Sequence, residues 1–392
     1  MIDRVLEESL RVAAGQAPVV AVTGPRQSGK TTLCRKVFPE YAYVSLEPLD
    51  NRDFAAADPR GFLRQYPGPA VLDEVQHAPD LFSYLQEEVD RDPAPGKYVL
   101  TGSQHFGLSQ AISQSLAGRI ALLHLLPLSL DELFRFGPRE NVWEVVWAGA
   151  YPRIHDRGIG ADHWLADYIT TYVQRDVRQV LQVTDLDAFT AFLRLVAGRT
   201  AQELNLSALG ADAGITHNTA RSWVSVLETS FLVFKLPPWL TNARKRVVKA
   251  PKLHFVDSGL VCSLLGIRSP EQLVTHPLRG AIFESWVASE VLKARLHRRR
   301  SADLFHLRET RGAEIDILVE TPTRVIGVEV KSGATITTES LAGLRGLPDL
   351  VRRSGSGRRP LARLVYAGST AQERSDTSVV PWTAVPSQDW VS

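Results

Sequence analysis

The chain has 392 residues, of which 44% are hydrophobic and 22% are charged. It is therefore long enough for two or three packed domains of about 100–200 residues each, and its composition excludes a disordered chain. Lys plus Arg total 45 against 43 Asp plus Glu, a net charge of +2, which excludes a histone-like polycation and a protein with an acidic tail, so any nucleic-acid contact must come from local basic patches.

The cysteine usage and the apolar pattern predict where the protein is found. Cys34 and Cys262 lie far apart in the sequence, which argues against a disulfide framework and fits the reducing cytoplasm. The first residues lack a charged-then-apolar signal segment, and no apolar run reaches the roughly 18 residues that a membrane span needs. We therefore expect a cytoplasmic protein without a membrane partner.

The predicted elements change in type along the chain. Up to about residue 124, helical stretches alternate with five short apolar runs, which lie at 19–22, 41–44, 70–72, 98–100 and 120–123. Continuous apolar strands separated by helices predict a parallel sheet that is covered on both faces. The pattern is helical from about 128 to 233, and strands return from 305 onward.

The first strand is followed by a phosphate-binding pattern. Residues 24–31 fit G-x-x-x-x-G-K-[ST] and precede a predicted helix, so the loop and the helix N-terminus form an anion cradle. We predict that Lys30 neutralises the β- and γ-phosphates of ATP, that Thr31 supplies a hydroxyl to Mg²⁺, and that Thr32 lies near the α-phosphate. The predicted nucleotide-binding residues are Gly24, Pro25, Arg26, Gln27, Ser28, Gly29, Lys30, Thr31 and Thr32.

Two acids end the third predicted strand. In P-loop enzymes the first acid at such a strand end holds the metal ion and the second polarises the attacking water. Asp73 is therefore a predicted metal ligand, and Glu74 is a predicted catalytic residue together with Lys30. The next strand ends in polar residues, of which Ser103 or Thr101 is the candidate sensor of the γ-phosphate. The sensor is favoured for Ser103, and the alternative is an ordinary turn residue.

Five segments together carry a resemblance to a known family. They lie at 24–32, 72–76, 100–103, 116–119 and 149–153, and read GPRQSGKTT, LDEVQ, LTGS, LAGR and GAYPR. With them the chain resembles the prokaryotic AAA-type ATP-binding proteins with a C-terminal domain of unknown function, over almost its whole length. The resemblance implies a P-loop fold of the additional-strand catalytic-glutamate type.

The resemblance also indicates two arginines, Arg119 and Arg153, which fall in family-like positions. Arg119 is predicted to act as an arginine finger in the site of a neighbouring subunit or to couple domains. The alternative is an ordinary surface or ion-pair residue, and the same alternative holds for Arg153. A homo-oligomer follows only if Arg119 acts on a neighbouring subunit.

Residues 204–228 have the spacing of a helix-turn-helix. Ser207 is predicted to cap a first helix, Gly214 to make the turn, and Thr216 to cap a second helix. Strand-like residues and a basic stretch follow, so the whole resembles a winged helix with a basic wing. The predicted DNA-binding residues are His217, Asn218 and Arg221 in a groove, and Arg244, Lys245 and Arg246 on phosphates. The alternative is a module that packs on the nucleotide core or on a neighbouring subunit.

A second candidate site lies near the end of the chain. Asp316 is in one predicted strand, while Glu329 and Lys331 share one face of the next, so a hairpin brings two carboxylates and an ammonium together. This spacing resembles the restriction-endonuclease-like D…E-x-K site, whose carboxylates hold Mg²⁺ and whose lysine orients or activates water. Glu284, on a predicted helix, is the family-like further ligand beside Asp316 and Glu329. The alternative is a DNA-binding or purely structural module.

The sequence therefore predicts an α/β chain of four domains. They are a P-loop ATPase core, a helical linker domain, a winged-helix domain and an α/β restriction-endonuclease-like domain, at 1–135, 136–200, 201–265 and 266–392. The first hypothesis is an ATPase that uses ATP and Mg²⁺ to couple nucleotide state to the binding or remodelling of DNA. The second is a nucleotide-dependent switch that binds a protein or a promoter without remodelling or cleaving DNA, and the third is a Mg²⁺-dependent nuclease gated by ATP.

Overall fold

The computed structural model describes residues 2–103, 115–171, 185–239, 250–308, 314–374 and 376–392. The chain forms two compact units. The first unit extends to Leu128 and includes residues 229–231 and 296–299, and the second unit comprises the rest. Every helix among the described residues is too short or too polar to span a bilayer. The four domain boundaries read from the sequence stay predictions.

The first unit is built on a parallel sheet. Its strands are β1 (Val19–Thr23), β2 (Ala42–Ser45), β3 (Ala70–Asp73), β4 (Tyr98–Gly102) and β5 (Ile120–His124). They lie in the order β2-β3-β4-β1-β5, so β4 separates β1 from β3. This confirms the predicted parallel sheet and the additional strand that the resemblance implies. Because parallel strands run in one direction, the carboxyl ends of β1, β3 and β4 meet at one edge.

Helices cover both faces of this sheet. They are α1 (Leu6–Ala14), α2 (Lys30–Val37), α3 (Leu49–Ala57), α4 (Pro59–Gln65) and α5 (Leu81–Arg91). Successive side chains of β1 enter different cores: Val19 and Ala21 pack in one hydrophobic cluster, and Val20 and Val22 pack in the other. Each fully buried aliphatic side chain contributes about 1.5–3 kcal/mol. Burial on both faces of the sheet thus explains why β1 is a continuous apolar run. The buried strand also fixes the position at which the following loop begins.

The second unit begins with helices. They are α6 (Leu130–Phe134), α7 (Val142–Ala148), α8 (Pro152–Arg157), α9 (Ala161–Tyr168), α10 (Leu186–Gly198), α11 (Leu206–Asp212) and α12 (His217–Thr229). Gly149, between α7 and α8, has φ 68°, and a Cβ there would overlap the carboxylate of Asp257. That carboxylate accepts hydrogen bonds from the N–H groups of Ala150 (2.7 Å) and Leu260 (3.1 Å). Close packing against Asp257 therefore explains why the 149–153 motif begins with a glycine.

The two helices α11 and α12 lie within the residues 204–228 where the sequence predicts a helix-turn-helix. Asn205 caps α11, because its side chain accepts a hydrogen bond from the N–H of Ala208 at 3.0 Å. The predicted cap at Ser207 is wrong, since that residue already lies inside the helix. Gly214 makes the turn with φ 68°, and Thr216 accepts from the N–H of Thr219 at 3.1 Å, as predicted for the second cap.

A small antiparallel sheet follows the two helices. Its strands are β6 (Gln202–Glu203), β7 (Val233–Leu236) and β8 (Lys252–Phe255), in the order β6-β8-β7. The chain then continues with α13 (Ser258–Leu264), α14 (Pro270–Thr275) and the long helix α15 (Arg279–Leu296). Ser285 of α15 accepts a hydrogen bond from the N–H of Phe255 at 3.1 Å, so this helix is bound directly to β8.

The last part of the chain forms a mixed sheet. Its strands are β9 (Leu304–Arg308), β10 (Glu314–Glu320), β11 (Arg324–Lys331), β12 (Arg359–Tyr366), β13 (Gln372–Arg374) and β14 (Thr377–Pro381), and helix α16 (Leu347–Ser354) precedes β12. The order is β13-β14-β12-β11-β10-β9, with β10 and β11 antiparallel and β11 and β12 parallel. The predicted hairpin is therefore present as β10 and β11.

Candidate functional site

The phosphate-binding loop connects β1 to α2 in the first unit. Gly24 has φ 154°, and a Cβ at this position would overlap the carbonyl oxygen of Leu125, so only glycine fits. Gly29 has φ 94° and immediately precedes Lys30, the first residue of α2. The unpaired N–H groups of the first helical turn therefore lie next to the loop, which is the arrangement that binds phosphate.

Lys30 is buried within this loop. Its Nζ donates hydrogen bonds to the carbonyl oxygens of Gly24 at 3.0 Å and Pro25 at 2.9 Å. Burial lowers the pKa of Lys30 to about 8, although the nearby carboxylates of Glu74 and Asp73 act in the opposite direction. Among the described residues, the ammonium hydrogen-bonds to neutral carbonyl groups and to no carboxylate, and a buried cation without a bonded anion favours the binding of one.

The other predicted loop residues differ in exposure. Ser28 is fully buried, Arg26 is half-buried, and Gln27 and Thr32 are exposed. Gln27 has φ 65°, a left-handed conformation that is uncommon outside glycine. The loop is further supported by Arg4, whose guanidinium donates to the carbonyl oxygens of Ser28 (2.8 Å) and Leu126 (2.9 Å). Sequence analysis missed Arg4 because it lies far from the motif along the chain.

Asp73, at the end of β3, is held by three hydroxyl groups. Its Oδ1 accepts hydrogen bonds from Thr31 at 2.8 Å and from Thr101, and its Oδ2 accepts from Tyr43 at 2.9 Å. Burial and the neighbouring Asp73 carboxylate raise the pKa of Tyr43 to about 12, so its hydroxyl stays a donor. The structure thus brings together the predicted pair Thr31 and Asp73, and it adds Tyr43, which sequence analysis missed.

Glu74 follows directly, in a left-handed conformation with φ 57°. The side-chain amide of Gln76 donates to Oε2 of Glu74 and also to the hydroxyl oxygen of Ser103 at 3.3 Å. The amide must point its NH₂ at Glu74, because a carboxylate only accepts hydrogen bonds. Gln76 therefore links the predicted catalytic carboxylate to the predicted sensor. It lies in the 72–76 motif, but the sequence assigns it no role.

Arg119 lies at the opposite edge of the sheet. It precedes β5, and its carbonyl oxygen accepts a hydrogen bond from the N–H of Val19, the first residue of β1. Its guanidinium forms a two-pronged ion pair with Asp90. Hydrogen bonding to Arg119 lowers the pKa of Asp90, although both groups are on the surface. Arg119 is thus remote from the nucleotide site of its own chain, and its action on a neighbouring subunit stays a prediction. Arg153 is exposed on α8.

The second candidate site lies in the second unit. Asp316 of β10 accepts a hydrogen bond from the N–H of Val330 at 2.8 Å, and Lys331 donates to Oε1 of Glu329 at 2.6 Å. Burial raises the pKa of Glu284 and of Glu329 above the usual range of glutamate, and the charge of Asp316 acts in the same direction on both. The four predicted residues Glu284, Asp316, Glu329 and Lys331 therefore form one group, here called the carboxylate cluster.

Sequence analysis missed a fifth member of this cluster. Lys252 of β8 donates to Oε1 of Glu284 at 3.0 Å and lies 3.7 Å from Oδ1 of Asp316. Burial acts to lower the pKa of Lys252, but Glu284 and Asp316 outweigh it, so the pKa is raised. In the part of the chain that the structure describes, no three His, Cys, Asp or Glu side chains are arranged to hold a metal ion. The predicted metal ligands Glu284, Asp316 and Glu329 are thus neighbours, but an ammonium lies between two of them.

The predicted DNA-binding residues fall into two groups. His217, Asn218 and Arg221 are exposed on α12, while the other side of this helix is buried through Ala220, Trp223, Val224 and Leu227. Arg244, Lys245 and Arg246 lie outside the described residues. Among the described residues, α12 therefore has one buried side and an exposed polar side at these three positions.

Comparison with family models divides the chain into three parts. Residues 16–134 match a model described as an AAA domain. Residues 139–271 and 279–385 match two models that are each described as a domain of unknown function, DUF8612 and DUF4143. The first match contains the phosphate-binding loop, Asp73 and Glu74, and it supports a P-loop ATPase.

Two solved structures show weak overall similarity. The Walker-type ATPase of Pyrococcus abyssi has 14% identity and a TM-score of 0.44, and the match covers 67% of this chain and 96% of that one. A signal transduction ATPase with a tetratricopeptide repeat sensor from Pyrococcus horikoshii has 11% identity and a TM-score of 0.25, with 75% and 47% covered.

Two mycobacterial proteins are much more similar in sequence. Rv2008c of Mycobacterium tuberculosis and Mb2031c of Mycobacterium bovis, both uncharacterized, are each 33% identical to the chain over 377 residues. The matched region covers 94% of this chain and 81% of each relative. The chain therefore belongs to the same family as these two proteins, and its first part is a P-loop ATPase domain of the AAA type.

Proposed function

We propose that the chain is an ATP-hydrolysing protein of the cytoplasm that couples nucleotide state to the binding or remodelling of DNA. One observation supports the proposed ATP hydrolysis. A single edge of the sheet brings together the cation Lys30, the Thr31–Asp73 pair and the carboxylate of Glu74. These are the groups that a P-loop enzyme needs to bind phosphates, hold a metal ion and orient water.

The donor set at Asp73 fits Mg²⁺. The ion prefers oxygen ligands, and the hydroxyl of Thr31 and the carboxylate of Asp73 supply oxygens that are already 2.8 Å apart. When bound with ATP, Mg²⁺ supplies charge neutralisation at the phosphates. Thr31 and Asp73 are the residues that hold it, and Tyr43 and Thr101 orient the Asp73 carboxylate through their hydroxyl groups.

The remaining residues act on the terminal phosphate and on water. Lys30 carries the positive charge that binds the β- and γ-phosphates. Glu74 accepts a hydrogen bond from the attacking water and polarises it, and Ser103 senses the γ-phosphate. Gln76 bonds to Glu74 and Ser103 together, so it holds the carboxylate in one orientation. Arg119 of a neighbouring subunit is proposed as the arginine finger, which requires a homo-oligomer and release of its pairing with Asp90.

We propose that the chain binds DNA through α12, which would be the second helix of a winged helix. His217, Asn218 and Arg221 are exposed there and supply donors and one positive charge towards a groove. Arg244, Lys245 and Arg246 are proposed to contact phosphates, which fixes position without reading sequence. Any metal-dependent cleavage is assigned to a restriction-endonuclease-like site at Asp316, Glu329 and Lys331.

ATP turnover measured with single-stranded, duplex and branched DNA tests this proposal. We expect at least one DNA structure to stimulate turnover and Lys30→Ala to abolish it. Arg221→Ala should weaken DNA binding, whereas Arg194→Ala, an exposed arginine of α10, serves as the matched control and should bind DNA like the wild type. A turnover rate that no DNA changes, together with ATP-dependent capture of a protein, would instead support the regulatory switch.

A further inference from the structure

Lys252 connects two parts of the second unit that the sequence predicts to be separate domains. It is the first residue of β8, yet its Nζ lies 3.0 Å from Glu284 of α15 and 3.7 Å from Asp316 of β10. The residue is only 5% exposed. A lysine with so little water contact depends on its protein partners for the solvation of its charge.

The two lysines of the carboxylate cluster have different environments. The side chain of Lys331 is 39% exposed and pairs with Oε1 of Glu329. The side chain of Lys252 is 6% exposed and lies between two carboxylates. Lys331 thus keeps solvent as an alternative partner, whereas Lys252 supplies the buried positive charge that Glu284 and Asp316 require.

The carboxylate oxygens of Asp316 and Glu329 differ in whether they have hydrogen-bond or ion-pair partners. One oxygen of Asp316 accepts from the N–H of Val330, and its other oxygen faces Lys252. Glu329, which is 9% exposed, has an Oε2 with no hydrogen-bond partner among the described residues. A buried carboxylate oxygen without a donor is costly, so the hydrogen bonds of the cluster are incomplete in this arrangement.

We propose that Lys252 is the resident cation of the carboxylate cluster and occupies the position between Glu284 and Asp316 that a divalent metal ion would otherwise take. The ammonium and a metal ion then exclude each other, because both need the same carboxylate oxygens. The cluster binds a divalent cation such as Mg²⁺ only when this side chain is withdrawn or removed. This inference concerns the identity of the cation in the carboxylate cluster, so it holds whether or not the chain hydrolyses ATP.

The direct test is a titration with Mn²⁺ alone, without nucleotide. Binding is measured as the loss of the electron paramagnetic resonance signal of the free ion. The full-length wild type, Lys252→Ala, Lys252→Met and Lys252→Ala/Asp316→Asn are compared. Lys235→Ala is the matched control, because Lys235 lies on the neighbouring strand β7 and pairs with Glu228 at the surface. Circular dichroism and thermal unfolding establish that each variant is folded.

We expect Lys252→Ala to bind one Mn²⁺ at least about tenfold more tightly than the wild type, which corresponds to about 1.4 kcal/mol. The added Asp316→Asn change should abolish this gain, and Lys235→Ala should show none. Lys252→Met removes the charge but keeps the volume of the side chain, so it provides the same comparison if the alanine variant does not fold. Two results would overturn the proposal: unchanged Mn²⁺ binding in a folded Lys252 variant, or a wild-type Mn²⁺ site that depends on Asp316.

Discussion

The nucleotide site and the carboxylate cluster each contain a buried lysine beside acidic groups, but the two lysines are bound differently. Lys30 donates to the carbonyl oxygens of Gly24 and Pro25, and burial lowers its pKa to about 8. Lys252 donates to Glu284, and although burial opposes it, neighbouring carboxylates raise its pKa. One ammonium is held by neutral dipoles, and the other is already neutralised by anions.

This difference indicates which site is open to a charged ligand. A cation whose partners are carbonyl groups gains more from a phosphate than from its present contacts. A cation that already bonds to carboxylates gains less, and removing it leaves uncompensated buried charge. Lys30 should therefore matter for ligand binding, and Lys252 should matter for stability.

The largest effect is expected from Lys30→Ala. The substitution removes the only side-chain ammonium in the phosphate-binding loop, so ATP turnover should fall by at least about a hundredfold. Lys36→Ala, on the same helix, removes a cation that pairs with Asp3 and Glu7 and should leave turnover nearly unchanged. Steady-state turnover and binding of a fluorescent ATP analogue measure both variants. Equal losses in the two variants would contradict a specific role of Lys30.

Lys252→Met is expected to reduce the stability of the chain rather than ATP turnover. The substitution leaves Glu284 and Asp316 without their buried counter-charge, so the free energy of unfolding should fall by about 3 kcal/mol. Lys235→Met removes a half-exposed ion pair with Glu228 and should cost less than about 1 kcal/mol. Denaturant titration at neutral pH gives both values. If the two variants lose the same stability, the buried pairing of Lys252 contributes no more to stability than an ordinary surface ion pair.

The pH dependence of stability separates the two lysines further. Because the pKa of Lys30 is about 8 in the folded chain and near 10.5 when unfolded, the charged form lowers stability below pH 8, and this penalty disappears as the pH rises from about 8 to 10.5. Lys30→Met should therefore be more stable than the wild type at pH 7, by about 3 kcal/mol, and the difference should shrink towards pH 10.5. A difference that stays constant over this range would show that burial does not penalise the charge.

The sequence predicts the first unit well because its information is local. Five apolar runs predict the five strands, and the G-x-x-x-x-G-K-[ST] pattern places Lys30 and Thr31 without reference to any other part of the chain. The sequence predicts Ser207 as the cap of α11, whereas the structure has Asn205 in this position. Both residue types cap helices, and the two residues lie only two positions apart. Such a choice depends on where the first helical turn packs, which the local pattern does not contain.

The missed residues depend on which elements become neighbours. Tyr43 reaches Asp73 because β2 pairs with β3, and Gln76 reaches Ser103 because β4 lies beside β3. Lys252 meets Glu284 because α15 packs on β8, a contact between residues 32 positions apart. These neighbours are set by tertiary packing, so chain order alone does not reveal them.

Among these missed residues, Gln76 is expected to have a moderate effect. Gln76→Ala frees the carboxylate of Glu74 from its bond to the amide, so kcat should fall about tenfold with little change in KM. Gln76→Glu places a second negative charge there, so it should lower kcat further and shift the pH profile of kcat to higher pH. Gln65→Ala, on α4, is the matched control. A change confined to KM would mean that Gln76 contributes to nucleotide binding instead.

The smallest effect is expected from Tyr43→Phe, which removes one of the three hydroxyl donors to Asp73 and keeps the ring. Thr31 and Thr101 still hold Oδ1, so the carboxylate loses orientation at Oδ2 only. The Mg²⁺ concentration that gives half-maximal turnover should rise about threefold to tenfold, in line with a net hydrogen-bond contribution of about 1 kcal/mol. Tyr41→Phe, two positions earlier, is the matched control. A change in maximal turnover without a change in Mg²⁺ dependence would assign Tyr43 to the packing of β2 rather than to the orientation of the metal ligand.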